Sequence, residues 1–290
     1  MGVDLGTTGV WSRELRFGDG NLAADAAVQL EELGYSALWL PGGPADAFAV
    51  ASSLLQATSR VVVATGIVSV WNYEAAAAAS SHAALTEAHP GRFLLGLGIS
   101  HARLVDRDSP GRYQHPVEVM SAYLDDLDRA SPAVPIDERV IAALGPRMLR
   151  LARERSAGTH PYLVTPEHSQ AARQLVGASK VVAPEQAVLL ESDPARAREV
   201  SRGHLEIYLQ LPNYVNNWRR LGYTDEDFAG GGSNRLVDGL VAWGDEGRVA
   251  DRLQAHHDAG ADHVCIQVIG GPAAAPPLAE WRRVAEALAG

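Results

Sequence analysis

The sequence predicts an α/β protein, a single (β/α)8 TIM barrel spanning residues 1–290. Three observations predict it. Strand-like and helix-like segments alternate about eight times along the chain. No linker-like break in composition divides them. The stretch Val61 to Val105 is a βαβ unit, whose length and pattern require parallel pairing. A doubly wound open sheet is the runner-up, because periodicity alone does not show closure.

The elements follow in order. Thr8–Trp11 is a short strand. Asn21 caps an amphipathic helix to Leu33, which Gly34 ends. Ala37–Leu40 is the second strand, stopped by Pro41-Gly42-Gly43, and 46–58 is helical. Val61–Ala64 is apolar and β-branched, the mark of a strand buried on both faces. A bend at Thr65-Gly66 leads into Ile67–Val70. The alanine-rich helix 74–88 has high helix propensity and little bulk, and His89-Pro90-Gly91 stops it. Phe93–Gly98 is the fourth strand, followed by a long polar loop, 99–115. Pro116 opens a helix to about Arg129.

Val140–Leu144 is the fifth strand, with a helix from Arg147 to Arg155. Tyr162–Val164 is read as the sixth strand and Glu167–Val176 as its helix. Ala187–Leu190 is the seventh, with a helix from Pro194 to about Leu209. An irregular stretch, 212–244, then forms an insertion (about 211–244), the kind of long segment that is usually functional or mobile. The helix 245–259, the strand His263–Val268 and the helix Pro277–Leu288 complete the chain.

A net charge of -10 argues against nucleic acid or an anionic membrane as partner. It leaves room for an anionic cofactor held by a local arginine cluster. One cysteine, Cys265, rules out an internal disulfide, and no signal peptide or membrane span is read. A cytoplasmic protein acting on a small molecule is the expectation.

Gly96-Leu97-Gly98-Ile99-Ser100-His101 begins like a dinucleotide fingerprint. His101 replaces the third glycine, no acidic residue stands where one is needed, and no helix is expected to begin there. His256-His257 are neighbours on a helix, so they do not face a common metal, and a solvated surface is expected for both. No metal site is predicted. Three sites stand out. His101, just past the fourth strand, lies where a barrel keeps its chemistry and where an imidazole gives or takes a proton near neutral pH; its plainer reading is a polar loop residue. Gly145-Pro146-Arg147-Met148 joins a strand to a helix N-terminus, a setting that suits phosphate, or else is an ordinary turn. At the bend around Gly66-Ile67, Trp71 is a packing residue or the wall of a ring-shaped ligand.

The order of segments resembles the luciferase-like monooxygenase superfamily, and within it the branch of oxidoreductases using the deazaflavin coenzyme F420. The matching pieces are LEELGYSALWLPGG, ATSRVVVATGIVSVW, HPGRFLLGLGISHARLV, ALGPRMLRLARERSAGTHPYLVTPEH, VAPEQAVLLESDPARAREV and VAWGDEGRVADRLQAHHDAGADHVCIQVI. The resemblance implies a barrel with an insertion after strand seven and a cofactor at the carboxyl ends of the strands. A non-proline cis bond at Gly66-Ile67 would buttress the ring. Gly98, Ile99 and Ser100 would touch the cofactor, and Gly145, Pro146, Arg147 and Met148 its phosphate or tail, with Arg103, Arg107 and Arg112 nearby. The acid/base assignment of the relatives does not transfer, and His101 is the candidate catalytic proton carrier on its own chemistry, with Trp71, Asn72, Asn213 and Tyr214 as candidates to shape the substrate pocket.

The chain departs from relatives in two places. Several coenzyme F420 enzymes carry Asp or His where this chain has Pro41-Gly42-Gly43. Sugar-phosphate dehydrogenases of the family carry Glu in the place of His101. The implied function is hydride transfer between coenzyme F420 and a carbonyl, enone or alcohol. The alternatives are a monooxygenase using reduced FMN and oxygen, and a non-catalytic flavin-binding barrel. Pairing into a homodimer is the assembly the resemblance allows.

Overall fold

The computed structural model describes residues 2–44, 46–271 and 275–289. Its strands are β1 (Thr8–Trp11), β2 (Ala37–Pro41), β3 (Val62–Gly66), β4 (Val68–Ser69), β5 (Phe93–Gly98) and β6 (Arg139–Ile141). They continue with β7 (Gly158–Thr159), β8 (Val181–Val182), β9 (Glu185–Leu189), β10 (Val241–Trp243) and β11 (Val264–Val268). Every strand pairing among the described residues is parallel, in the order β10-β9-β11-β1-β2-β3-β5-β6-β7-β8, with β4 beside β5. Helices cover the outside, and the sheet curls around a buried interior.

The alternation of side chains sorts the core into two layers. Ala37, Trp39, Val62, Ala64 and Leu94 point into the interior cluster. Leu38, Leu40, Val63, Phe93 and Leu95 point outward beneath the helices. Small side chains on the helix Ala75–Ala88 let it lie close, with Ala75, Ala78 and Ala79 buried. Between β8 and β9, Ala183 and Pro184 hold the chain on two sides at once. The amides of Ala183 and Glu185 donate to Thr159 and Pro161, while the Pro184 carbonyl accepts from Cys265.

Several expectations are corrected. The first long helix, Gly20–Glu32, is capped by Asp19 rather than Asn21; the Asp19 carboxylate accepts from the Asn21 and Leu22 amides. The sixth strand is Gly158–Thr159, not Tyr162–Val164. Leu163 takes φ +51° there, which no strand tolerates. The polar loop after β5 contains a helix, Ala102–Asp108. The stretch read as irregular holds the helices Pro212–Arg220, Asp225–Phe228 and Asn234–Leu240 as well as β10. A reciprocal Thr224–Asp227 cap and the Ser233 cap start two of them. His256 is fully buried, its ring between Ser169 Oγ at 2.8 Å and Gln186 Oε1 at 3.0 Å. Two polar partners on other elements account for its burial, which position on a polar-looking helix does not reveal.

Candidate functional site

One cleft of about 1420 Å³ opens at the carboxyl ends of β1 to β7. Its wall is the bend after β3. The Gly66-Ile67 bond is cis, and neighbouring side chains complete what the bend disrupts. The Trp11 indole donates to the Gly66 carbonyl at 2.9 Å. Where the backbone turns away from β5, Thr65 Oγ1 donates to the Gly96 carbonyl and accepts from the Gly96 amide, both at 2.8 Å. Two glycines make room. A Cβ on Gly42 would stand 2.7 Å from the Ile67 carbonyl, and one on Gly98 2.5 Å from the Ile67 side chain.

Past β5, Ser100 takes φ +57° and His101 caps the short helix without a side-chain bond to it. Burial lowers the His101 pKa, and a hydrogen bond with the Asn213 side chain partly offsets this. Its Nδ1 is buried with no hydrogen-bond partner. The Tyr214 ring lies 5.5 Å away, centre to centre. Trp71 is held flat at the rim: its indole donates to the Ile99 carbonyl at 2.7 Å, and the Arg112 guanidinium stacks 5.2 Å above the ring. Asn72 sits exposed beside it.

On the opposite side, Gly145 starts the helix Pro146–Arg155 with no side-chain cap. The Arg147 and Met148 amides therefore have no intrahelical acceptor, and both residues line the cleft. Arg147 itself is 67% exposed and paired with Glu118 at 2.7 Å. The nearer cation is Arg220, whose guanidinium would lie 3.7–3.9 Å from a Cβ on Gly145. Six arginines (13, 103, 107, 112, 147 and 220) line the cleft against a single acid, Asp46. In a chain of net charge -10, that concentration makes the cleft a local well for anions.

Tyrosines pave the floor. Tyr208 donates to the Tyr162 hydroxyl at 3.1 Å, and Tyr162 to Gln267 Oε1 at 2.7 Å. Tyr214 meets Tyr208 edge-on, 5.1 Å between centres. Beneath them is Glu185, fully buried, its carboxyl pushed up to about 8 by desolvation although the Leu163 amide donates to it at 3.0 Å.

All the residues singled out from sequence come together here. The Gly66-Ile67 bend, Gly98 to His101, Gly145 to Met148, Trp71, Asn72, Asn213, Tyr214 and the three rim arginines line the same cleft. Sequence reasoning missed Trp11, Arg13, His160, Tyr162, Tyr208 and Arg220. The His-Pro-Tyr run after β7 was the available signal for two of them, had the strand been placed correctly. Nothing in the sequence ties Arg220 to Gly145. No cluster of three or more metal-ligating side chains occurs among the described residues, nor any helix long and apolar enough to cross a membrane.

A family model described as luciferase-like monooxygenase matches residues 16–263. Among curated proteins nothing matches the chain. Solved structures of similar fold include the coenzyme F420-dependent tetrahydromethanopterin reductase of Methanopyrus kandleri (TM-score 0.76, 17% identity, 99% of each chain covered). An F420-dependent secondary alcohol dehydrogenase in complex with an F420-acetone adduct has a TM-score of 0.74 at 15% identity, over 98% of each chain. The oxygenating constituent of 3,6-diketocamphane monooxygenase from Pseudomonas putida, in complex with FMN, has a TM-score of 0.67 at 14% identity, over 99% of this chain and 98% of that one. At these identities the likeness is one of fold.

Proposed function

The chain belongs to the luciferase-like monooxygenase family, and on that premise we propose that it is an oxidoreductase transferring a hydride between coenzyme F420 and a small carbonyl, enone or alcohol compound. We read residues 1–290 as one domain, with the Ala183-Pro184 stretch closing an eight-stranded barrel and 211–244 as its insertion. The observation that carries the functional reading is the arginine-lined cleft beside a flat, glycine-cleared bend. A cleft of about 1420 Å³ has room for a tricyclic ring and a small substrate together. The ring would rest on Gly66-Ile67 and Gly98 to Ser100. The uncapped helix start at Gly145, with Arg220 and Arg147, suits its phosphate. Arg103, Arg107 and Arg112 at the rim add more positive charge than one phosphate requires, which favours a cofactor with a longer acidic tail.

When bound, the deazaflavin supplies a ring carbon that gives or accepts a hydride. The protein supplies position and a proton site. Burial disfavours the charged form of His101, which suits the neutral ring to take a proton from an alcohol hydroxyl. In the reverse direction the protonated ring returns that proton to a carbonyl oxygen. Trp71, Asn72, Asn213 and Tyr214 frame the substrate next to it.

Fluorescence titration of the protein with coenzyme F420 beside FMN tests this reading. Preferred binding of F420, without oxygen uptake when the reduced cofactor is added, is expected. Preferred FMN binding with rapid oxygen uptake would move the protein to the monooxygenase reading. Binding of neither would refute both.

A further inference from the structure

A second hollow, of about 170 Å³, lies outside the cleft and shares no lining residue with it. It forms where three helices meet Trp243 of β10. Arg198 comes from Pro194–Leu205, Asp238 from Asn234–Leu240, and Arg248 and Arg252 from Glu246–Asp258. Three guanidiniums and one carboxylate therefore line it, in a chain of net charge -10. It is open to solvent: the Arg198 side chain is 28% exposed and that of Asp238 36%.

The carboxylate is already engaged. Asp238 Oδ2 accepts from Arg198 Nη2 at 2.7 Å, and Oδ1 accepts from Arg198 Nε at 3.0 Å and from the Trp243 indole at 2.8 Å. That paired bond neutralises Arg198, so two of the three positive charges remain. Neither has an acid bonded to it among the described residues. Arg252 donates only to carbonyls, from Nη1 to Gly239 at 2.7 Å and from Nη2 to Asp238 at 2.9 Å. Burial lowers its pKa, and Glu167, Tyr223 and Asp238 favour its charge through space without a hydrogen bond. A cation drawn partly out of water with no bonded counter-charge is unfavourable.

Arg248 is exposed. Its guanidinium lies over the Trp243 ring, 5.0 Å from the centre, beside that of Arg198 at 5.3 Å. The stack fixes its plane and leaves its N–H groups unspent. Arg248 and Arg252 stand four apart on one helix, so they share a face. At about 30 Å³ of liquid per water, the hollow holds a tetrahedral oxyanion with a few waters and is too small for a ring cofactor.

We propose that this hollow is an oxyanion site, separate from the cleft, that takes the dianionic head of phosphate or of a phosphomonoester between Arg248 and Arg252. It does not depend on what occupies the cleft.

The test is fluorine NMR of the full chain labelled with 5-fluorotryptophan, which reports each of the six tryptophans separately; Trp243→Phe assigns the signal at the hollow. Inorganic phosphate is expected to shift the Trp243 signal saturably, beyond the shift given by chloride at equal ionic strength. Arg248→Ala, folded as judged by its other tryptophan signals, is expected to raise Kd for that shift about tenfold. Arg220→Ala, which alters the cleft instead, should leave it within about threefold. A parallel titration with glycerol 3-phosphate separates the sources: tighter binding than inorganic phosphate assigns the site to phosphomonoesters, and weaker binding to the free ion. A Trp243 signal that phosphate does not move, or moves no more than chloride does, would overturn the proposal. So would an unchanged Kd in Arg248→Ala, or a tenfold loss in Arg220→Ala, which would place the bound ion in the cleft.

Discussion

Glu185→Gln should flatten the fall of stability with rising pH. The Glu185 carboxyl lies under Tyr162, Tyr208 and Tyr214 with Oε1 unpartnered, and burial lifts its pKa from 4.5 to about 8. Between those two values the unfolded chain has released the proton and the folded chain still holds it. Stability therefore declines as pH rises across this window, by about 1.4 kcal/mol per pH unit, and levels off above it. From pH 5 to 7 the loss is on the order of 3 kcal/mol. Glutamine keeps an oxygen for the Leu163 amide and has nothing to titrate. Its altered hydrogen bonding adds a constant offset; the slope is the readout. Other buried groups, such as His160 and His263, both held to about 4, impose their own acid limb but cancel in the difference between the two proteins. Urea unfolding at pH 5, 6, 7 and 8, with equal m values, measures that difference. Parallel stability profiles for wild type and variant would show that Glu185 ionises freely in the folded protein and would refute the reasoning.

Three further outcomes are expected. Thr65→Val keeps the shape but strips both bonds to Gly96; losing a buried amide and a buried carbonyl partner should cost about 2–4 kcal/mol in denaturant unfolding, and a loss under about 0.5 kcal/mol would mean that the bend supports itself. Arg220→Ala should weaken the phosphate-bearing cofactor about tenfold at low ionic strength and less at about 0.5 M salt, whereas Arg147→Ala, already paired with Glu118, should do less; the reverse ranking in titration would place the anion elsewhere. For alcohol oxidation, kcat/KM should rise with pH through a value below the usual 6.5 of histidine and then stay flat, because His101 must be neutral to take the proton. His101→Ala should lose that limb, and an unchanged pH profile would remove the assigned role.

What the sequence revealed was the part of the structure written locally. Phe93–Gly98 is a strand at the bounds its apolar run indicates, and the helix expected over 46–58 is Ala47–Ala57. Errors arose where distant partners override local pattern. Gly158-Thr159 looks too small and polar for a strand, but its neighbours supply the burial, with Thr159 Oγ1 donating to Ile141. Tyr162–Val164 looks like one and is instead a turn that hands the Leu163 amide to Glu185.

The same distinction governs the site. The Gly66-Ile67 bend was visible as a glycine after a β-branched run, yet its support was not. Trp11 reaches it across 55 positions, Gly96 is bridged to it across 31, and Gly42 and Gly98 are glycines because Ile67 occupies their side-chain space. A bend assembled from three strands is stiff only as a unit, so a change at Trp11 or Gly98 should disturb ring binding although neither is expected to move a proton. His101 differs: it sits on a short helix beyond β5, fixed mainly by burial and Asn213. On the proposed reading the wall lies on strand ends and the proton site at the start of a separate short helix, a division that would let the wall stay constant while the loop residues set the chemistry.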